Sequence, residues 1–479
     1  MTRVCETVTA ASMAELRRKR DAATRADLVE LRLDGVADAD VSGALAGRMK
    51  PVIVTCRSTA EGGAFSGSED DRLRILAAAI AGGAEFIDVE WRADRSALPT
   101  NDRTRVVLSH HVLDGMPPDL ASRVRAMRGQ APHGVIKVAV RTPTLGDCVR
   151  LRDTVGTGSD QVVIGMGPAG LVSRVCPWLF DSQWTYGGSA APGQMPVRDL
   201  LDVYRVNATG RGTRIFALIG KPLGHSASPV MQNSAMASLQ VNAVYVPIET
   251  DDGAEFLAAA EAFAIEGASV TAPLKRVWAS LGVALDSAAS EIGAVNTLRR
   301  RPGQPWEGHN FDVEGFVAPL IRRGLGVVGQ RVVILGAGGA ARAAAWTMKR
   351  HGAAVEVAAR RQDAADELAA GLGVRAVPWP PAPDWDLLVN ATPVGTWPAE
   401  GESPLAAEHL RGRIVYDLVY NPAETTLLKL ARAAGAQVIG GIEMLIGQAL
   451  AQFEWWNGVP APPGVMDRAA AEWLHRKPE

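Results

Sequence analysis

Two rhythms of apolar and polar residues alternate along the chain. Short apolar runs, rich in β-branched residues, recur at 4–9, 28–33, 52–56, 86–90, 106–109, 135–140, 162–165 and 184–186, and each reads as a buried strand. Between them, stretches such as 72–81 and 119–128 read as helices. Eight strands alternating with helices predict a parallel (β/α)8 barrel over 1–207, an architecture that gathers its chemistry at the C-terminal strand ends. The polar stretch NATGRGTR at 207–214 holds two glycines and reads as a linker. Alternation resumes at 215–219, breaks again near 322–330, and restarts with a strand at 331–335 that runs into GAGGAA, a new βα unit. A helix is expected at 442–456, and the proline-rich 378–383 reads as a loop.

Bulk composition narrows the class without choosing a function. At 479 residues the chain is long enough for two or three domains, and 47% hydrophobic with 21% charged residues is a globular balance. A formal charge of −2, with Arg and Lys spread along the chain, gives no electrostatic case for nucleic acid or an anionic membrane as partner. Cys5, Cys56, Cys148 and Cys176 match no zinc or redox spacing and read as reduced thiols; no metal site is expected. The N-terminus, MTRVCETVTA, lacks the layout of a signal peptide, and no apolar run reaches the ~18–20 residues that span a bilayer, so the expected compartment is the cytoplasm.

Candidate chemistry in the first half collects at the predicted C-terminal strand ends. Glu30 and Arg32 end VELRLD, Arg57 ends VTCRS, His111 follows VVLSH, Lys137 lies within GVIKVAV, and Arg174 follows the glycine-rich MGPAGL. Lys137 is the sharpest of these. It points either into the barrel, where burial lowers an amine's pKa and makes it a nucleophile toward carbonyls, or outward as a snorkelling lysine, and spacing leaves both open. A lone histidine or arginine is equally ambiguous; the shared rim is what argues for a site.

The segments VELRLD, TCRSTAEGG, FIDVEW, VLSHH, VIKVAV, GLVSR and AAPGQ together resemble type I 3-dehydroquinate dehydratase over the first ~205 residues. The resemblance implies that Lys137 forms a Schiff base with the substrate ketone and that His111 shuttles the proton, with His110 at a non-catalytic position. It implies a carboxylate clamp at Arg174 and substrate contacts from Arg57, Glu30, Arg32 and Gln194, with Glu61 orienting His111. One position departs from the family pattern: Ala190 stands where a serine usually precedes the PGQ lid motif, with Ser189 one residue earlier, so the lid loop 189–196 is expected to close differently or lose a hydrogen bond.

In the second half, RVVILGAGGAA carries Gly336-x-Gly338-x-x-Ala341 between a strand and a helical pattern, the arrangement of a dinucleotide-binding turn. The next strand runs out through AAVEVAARRQ. An NAD site would end it on an acidic residue; Arg360 and Arg361 suit a 2′-phosphate and favour NADP, whereas Glu356 falls mid-strand. Upstream, GKPLGHSASP is either a polyol- or carboxylate-binding loop or a turn with a serine cap. Lys275 and Asp312 are either a functional pair or ordinary surface charges.

The ordered segments HSASP, TAPLK, GAVNT, GHNFD, GAGGA, NATPVG, YDLVY and GIEMLIGQ resemble shikimate dehydrogenase over about 215–475. That resemblance implies a substrate-binding domain at 208–324 joined by 441–479, around a Rossmann NADP-binding domain at 325–440. It assigns Ser226 and Ser228 to the substrate carboxylate, with a further contact from Tyr420, and Thr271, Asn296, Asp312 and Gln448 to ring hydroxyls. Lys275 and Asp312 would be the catalytic pair, and Gly336, Ala337, Gly338, Gly339, Ala340, Ala341, Arg360, Arg361, Asn390, Thr392 and Gly441 the cofactor-binding set. Phe311 replaces the family's usual threonine and is expected to reshape the hydroxyl-binding wall, which bears on shikimate against quinate.

The two halves fit one metabolic order: dehydration of 3-dehydroquinate, then NADPH-dependent reduction of 3-dehydroshikimate to shikimate, in aromatic amino acid biosynthesis. The partners expected are these small molecules, with the chain a monomer or homodimer. The rival reading is a shikimate or quinate dehydrogenase alone, with a catalytically decayed barrel.

Overall fold

A computed structural model of the chain describes residues 2–190, 193–224 and 226–475. Two residues of the expected lid loop, Ala191 and Pro192, and His225 of the HSASP segment lie outside the described residues. Two compact units are present: Met1–Ile215 with Asn242–Thr250 and Ala254–Ala264, and Phe216–Val241 with Asp251–Gly253 and Ile265–Glu479.

Among the described residues, the first half of the chain carries eight parallel strands: β1 (Arg3–Thr9), β2 (Leu28–Arg32), β3 (Val52–Thr55), β4 (Phe86–Glu90), β5 (Arg105–Val112), β6 (Val135–Arg141), β7 (Gln161–Met166) and β8 (Trp184–Gly187). They follow the order β7-β6-β5-β4-β3-β2-β1-β8, so β8 pairs with β1 and the sheet curls on itself. The remaining seam, between β7 and β8, is joined at one bridge, Gln161 to Ser182. This is the expected barrel, nearly closed.

Strand parity decides which way Lys137 points. Side chains alternate faces along a strand, and Cys5, Leu28, Ile53, Phe86, Val107, Val135, Ala139 and Trp184 belong to one interior cluster. Thr7, Glu30, Thr55, Asp88, Ser109 and Lys137 stand two residues along from members of that cluster and therefore share its face. Register supplies the levels: Glu90 pairs with Ser109, Ser109 with Lys137, and Thr7 with Glu30. Lys137 thus points into the barrel, 4% exposed.

The second half holds two further sheets. One is mixed, in the order β10-β9-β11-β13-β14-β12, from β9 (Arg214–Gly220), β10 (Ala243–Glu249), β11 (Ile265–Val270), β12 (Ala284–Leu285), β13 (Thr297–Arg299) and β14 (Glu307–His309). The other is wholly parallel, in the order β17-β16-β15-β18-β19-β20, from β15 (Arg331–Leu335), β16 (Ala354–Ala358), β17 (Arg375–Ala376), β18 (Leu387–Asn390), β19 (Ile414–Asp417) and β20 (Gln437–Ile439). Renumbered from its first strand, this sheet reads 3-2-1-4-5-6, the doubly wound dinucleotide-binding order, with its switch point between β15 and β18. Helix Gly339–Arg350 follows β15 directly, and helix Gly441–Asn457 follows β20 and packs on helix Asp312–Arg322. Among the described residues, no helix is long and apolar enough to cross a membrane.

Candidate active sites

Inside the barrel, Lys137 Nζ lies 3.2 Å from Glu30 Oε1 and 3.0 Å from Asp88 Oδ2, with the Tyr186 ring centroid 4.3 Å away. Each carboxylate is braced in turn. Thr7 and Thr55 hydroxyls donate to Glu30, both at 3.0 Å; Ser109 Oγ donates to Asp88 at 2.6 Å, and Arg57 pairs with Asp88 at 2.9 Å. Arg57 also donates to Ser109 Oγ (2.7 Å) and faces Glu90, which Arg72 holds from its other side. Burial alone would raise Asp88, but the positive charges of Arg57 and then Lys137 outweigh it and hold the carboxyl well below its usual range. Glu30 follows the same logic: burial opposes ionisation, but Lys137 together with Arg32 and Arg57 outweighs it and holds the carboxyl below its usual value.

His111 Nδ1 lies 3.0 Å from Glu61 Oε2, and its backbone N–H donates to the same oxygen at 2.8 Å. Burial would raise Glu61, but hydrogen bonds from both neighbouring histidines hold it at about 2. An ionised carboxylate only accepts, so Nδ1 carries the proton and Nε2 is the basic nitrogen. Burial, with the charge of Arg57 behind it, pushes His111 down to about 4. His110 differs: Arg123 Nη1 already donates to its Nε2 at 3.1 Å, so that lone pair is used.

Arg174 stands on the short helix Leu171–Val175 after β7, 2% exposed, with Nε and Nη1 lacking any hydrogen-bond partner among the described residues. Burial pushes it down to about 10. A buried guanidinium with open donors suits an anion. Gln194 joins the cluster through Thr7, donating at 3.3 Å, and accepts from the Ala190 backbone N–H at 2.7 Å. Arg32 closes its fork on Asp34 at 2.8 and 2.7 Å and adds its positive charge to the field at Glu30.

In the second unit, Lys275 Nζ lies 2.5 Å from Asp312 Oδ2. Asn296 joins the neighbours: its Nδ2 donates to Asp312 Oδ1 (2.9 Å) and to Gln448 Oε1 (3.5 Å), while its Oδ1 accepts from Phe311 N (2.8 Å) and Thr297 Oγ1 (2.7 Å). Phe311 is buried and stacks on His309 at 5.1 Å, with Trp455 at 5.6 Å. Ser226 Oγ accepts from Ser228 N at 3.2 Å and hydrogen-bonds Tyr420, whose hydroxyl burial pushes up. Thr271 follows β11 directly, its backbone N–H bonded to Ile219.

The turn after β15 fits a dinucleotide. Gly336 has φ +109° and faces the Ala391 carbonyl, where a Cβ would lie 2.9 Å from the oxygen, so only glycine makes the turn. Gly338 caps helix Gly339–Arg350, whose N-terminus suits a phosphate. Glu356 is consumed by Arg331 (3.0 and 2.7 Å), while Arg360 and Arg361 are exposed beyond the end of β16. Asn390 orders its loop by accepting from Thr392 Oγ1 (2.7 Å) and donating to the buried Asp417 (2.9 Å), which burial pushes up to about 6. Gly441 opens helix Gly441–Asn457 against the Leu418 carbonyl.

Several members of these networks had no role in the sequence reading. Asp88 and Glu90 belong to FIDVEW, where two acidic residues in alternate places of a buried strand were the available signal; Asp417, in YDLVY, is a single acidic residue ending its strand. Thr7, Thr55 and Ser109 gave none.

These sites define the chain as an α/β enzyme that pairs a barrel holding an interior lysine with a dinucleotide-fold oxidoreductase unit. Comparison with known proteins carries this further. Residues 4–211 match type I 3-dehydroquinase, 218–298 the shikimate dehydrogenase substrate binding domain, and 441–471 the shikimate 5′-dehydrogenase C-terminal domain. A chloroplastic bifunctional 3-dehydroquinate dehydratase/shikimate dehydrogenase of Arabidopsis thaliana is 34% identical over 477 residues, covering 91% of this chain and 78% of the relative. A solved shikimate dehydrogenase in complex with NADP+ aligns with 56% of this chain and 98% of its own, at 34% identity and a TM-score of 0.54. Another, from Thermus thermophilus with NADP(H) and shikimate, covers 55% and 100%, at 36% identity and a TM-score of 0.50. The chain belongs to the family of bifunctional 3-dehydroquinate dehydratase/shikimate dehydrogenases of the shikimate pathway, with a lyase half and an oxidoreductase half.

The depressed His111 gives a direct test. Between its folded value of about 4 and the ~6.5 of a free imidazole, the unfolded chain binds the extra proton, so His111 contributes stability that is lost as pH falls through that window. In an NMR titration its ring is expected to stay neutral to about pH 4. A midpoint near that of a free imidazole would contradict the burial and the Arg57 field described above.

Proposed function

We propose that the chain dehydrates 3-dehydroquinate to 3-dehydroshikimate at Lys137 and reduces that product to shikimate at Lys275 with NADPH. The observation that carries this is the interior position of Lys137 between Glu30 and Asp88. In the barrel, Arg174 clamps the substrate carboxylate, and Arg57, Glu30, Arg32 and Gln194 fix its orientation, Arg32 from its pair with Asp34. Lys137 passes a proton to His111 Nε2 and attacks the ketone; His111 returns that proton to the carbinolamine oxygen, which leaves as water and gives a protonated imine, an electron sink that acidifies the adjacent C–H. His111 Nε2 takes the C–H proton and returns it to the departing hydroxyl, which leaves as water, while Glu61 holds the ring in the Nδ1–H tautomer; a water molecule then hydrolyses the imine, freeing 3-dehydroshikimate and the Lys137 amine. A decayed barrel would have no use for four hydrogen-bonded charges around an interior lysine, which speaks against the dehydrogenase-only reading.

In the second unit, Ser226, Ser228 and Tyr420 bind the carboxylate, and Thr271, Asn296 and Gln448 hold ring hydroxyls. Lys275 Nζ delivers a proton to the carbonyl oxygen, and Asp312 keeps the ammonium in place. Gly336 through Ala341, with Asn390, Thr392 and Gly441, line the dinucleotide site, and Arg360 and Arg361 take the 2′-phosphate. NADPH, when bound, supplies the hydride for the carbonyl carbon. The chain works in the cytoplasm as a monomer or homodimer; its four buried free thiols are consistent with a reducing compartment.

Purified protein given 3-dehydroquinate and NADPH is expected to make shikimate, and borohydride with 3-dehydroquinate to trap an adduct on Lys137 that Lys137→Ala abolishes. Reduction of 3-dehydroshikimate without turnover of 3-dehydroquinate would leave only the dehydrogenase. Replacing both Arg360 and Arg361 with alanine is expected to raise KM for NADPH by roughly 10- to 100-fold, the loss of one or two charged hydrogen bonds, and to spare KM for NADH. Equal changes for both nucleotides would remove the arginines from the 2′-phosphate site.

A further inference from the structure

The dinucleotide fingerprint asks for small residues at Gly336, Gly338 and Ala341, and leaves position 339 free. Glycine there is unexplained by backbone conformation: Gly339 is the first residue of helix Gly339–Arg350 and is absent from the left-handed region, and alanine is the better helix former. What excludes a side chain is Lys275. A Cβ on Gly339 would lie 2.7 Å from Lys275 Cδ, 3.2 Å from its Cβ and 3.5 Å from its Cγ, whereas a Cβ on Gly338 would meet nothing within 4 Å.

The lysine stem has little freedom to yield. Its carbonyl accepts from Val295 N at 2.7 Å, and its Nζ is held 2.5 Å from Asp312. The next residue, Arg276, pairs with Glu367 at 2.7 Å, and Glu367 also meets Arg342 of helix Gly339–Arg350 at 3.1 Å. The segment bearing Lys275 is therefore braced against the same helix that opens on Gly339.

We propose that Gly339 is a positioning residue for Lys275: the absence of a side chain there serves proton delivery by giving the lysine stem a flat surface, while its backbone, which alanine would keep, stays part of the dinucleotide turn. This rests on the reading of Lys275 as proton donor. Any side chain at 339 pushes the stem and draws Nζ off Asp312, slowing the chemical step while nucleotide binding stays intact.

The test is Gly339→Ala in the full chain, alone and combined with Lys275→Ala. Gly339→Ala is expected to lower kcat for 3-dehydroshikimate reduction about tenfold or more. It should leave the NADPH Kd, read by fluorescence titration, at its wild-type value and enlarge the primary deuterium isotope effect on kcat. Melting temperatures give an arm independent of catalysis. With the stem beyond Cβ removed by Lys275→Ala, the 2.7 Å clash with Cδ is gone and only the 3.2 Å approach to Cβ remains, so adding Gly339→Ala should lower Tm less, or raise it, compared with the same change made beside Lys275. A single variant that does not fold beside a double variant that folds and binds NADPH supports the proposal equally. It is overturned by an unchanged kcat, by a weakened NADPH Kd as the sole effect, by the same Tm shift in both backgrounds, or by a double variant that also fails to fold. Full reduction by Lys275→Ala would instead sink the proton-donor reading, and the Tm comparison would still decide the contact.

Discussion

An ammonium group inside a barrel is the constraint to which the first half of the molecule answers. Lys137 is cut off from water, and an unpaired charge there would cost several kcal/mol or simply deprotonate. Glu30 and Asp88 prevent that, but two buried carboxylates bring the same problem with opposite sign. Thr7, Thr55, Ser109 and Arg57 answer it with hydrogen bonds, and Arg57 in turn needs Asp88 and Glu90. The chain of compensation stops only where Arg72 reaches the partly exposed Glu69. Arg174 differs, a buried cation with two open donors and no hydrogen-bonded carboxylate among the described residues, an arrangement that suits an anion.

A single asparagine has the corresponding place in the second half. Asn296 uses both amide hydrogens and its oxygen, so Asp312, Gln448 and the backbone at Phe311 are fixed relative to one another. The proposed donor Lys275 is then set from two sides: by Asp312 at its tip and by the opening of the dinucleotide helix along its stem. Proton delivery and nucleotide binding therefore share a helix, which brings the proposed chemistry of the two folds to one place.

Much of this was legible because hydrophobic period is a backbone property. Strand 86–90 and strand 331–335 match their observed bounds, and the other barrel strands differ by a few residues, chiefly at β5, where the polar pair His110 and His111 continues a strand whose apolar run had ended. Lys137 was legible as a candidate but its direction was not, because direction depends on strand parity relative to neighbours, and only the register across β5, β6 and the interior cluster supplies that. The bracing residues were hidden for a different reason. Thr7, Thr55 and Ser109 are small polar groups in buried strands, and their importance lies wholly in the carboxylates they meet on neighbouring strands, from 21 to 25 residues away along the chain.

The two departures from the family pattern share a physical feature. Ala190 stands where the family has a serine, yet the contact made from that position is its backbone N–H donating to Gln194 Oε1 at 2.7 Å. Phe311 stands where the family has a threonine, and again the contact is a backbone N–H, donating to Asn296 Oδ1 at 2.8 Å while the ring packs on His309 and Trp455. Every residue but proline supplies that donor, so a change of side chain at either position leaves the hydrogen bond to the site residue in place. What such a change alters is the side-chain surface beside those contacts. At 190 a hydroxyl is lost, and at 311 an aromatic ring joins His309 and Trp455 in a cluster directly before Asp312. Substitution at these two positions is thus compatible with two working sites, because the framework contact comes from the main chain and not from the group that changed.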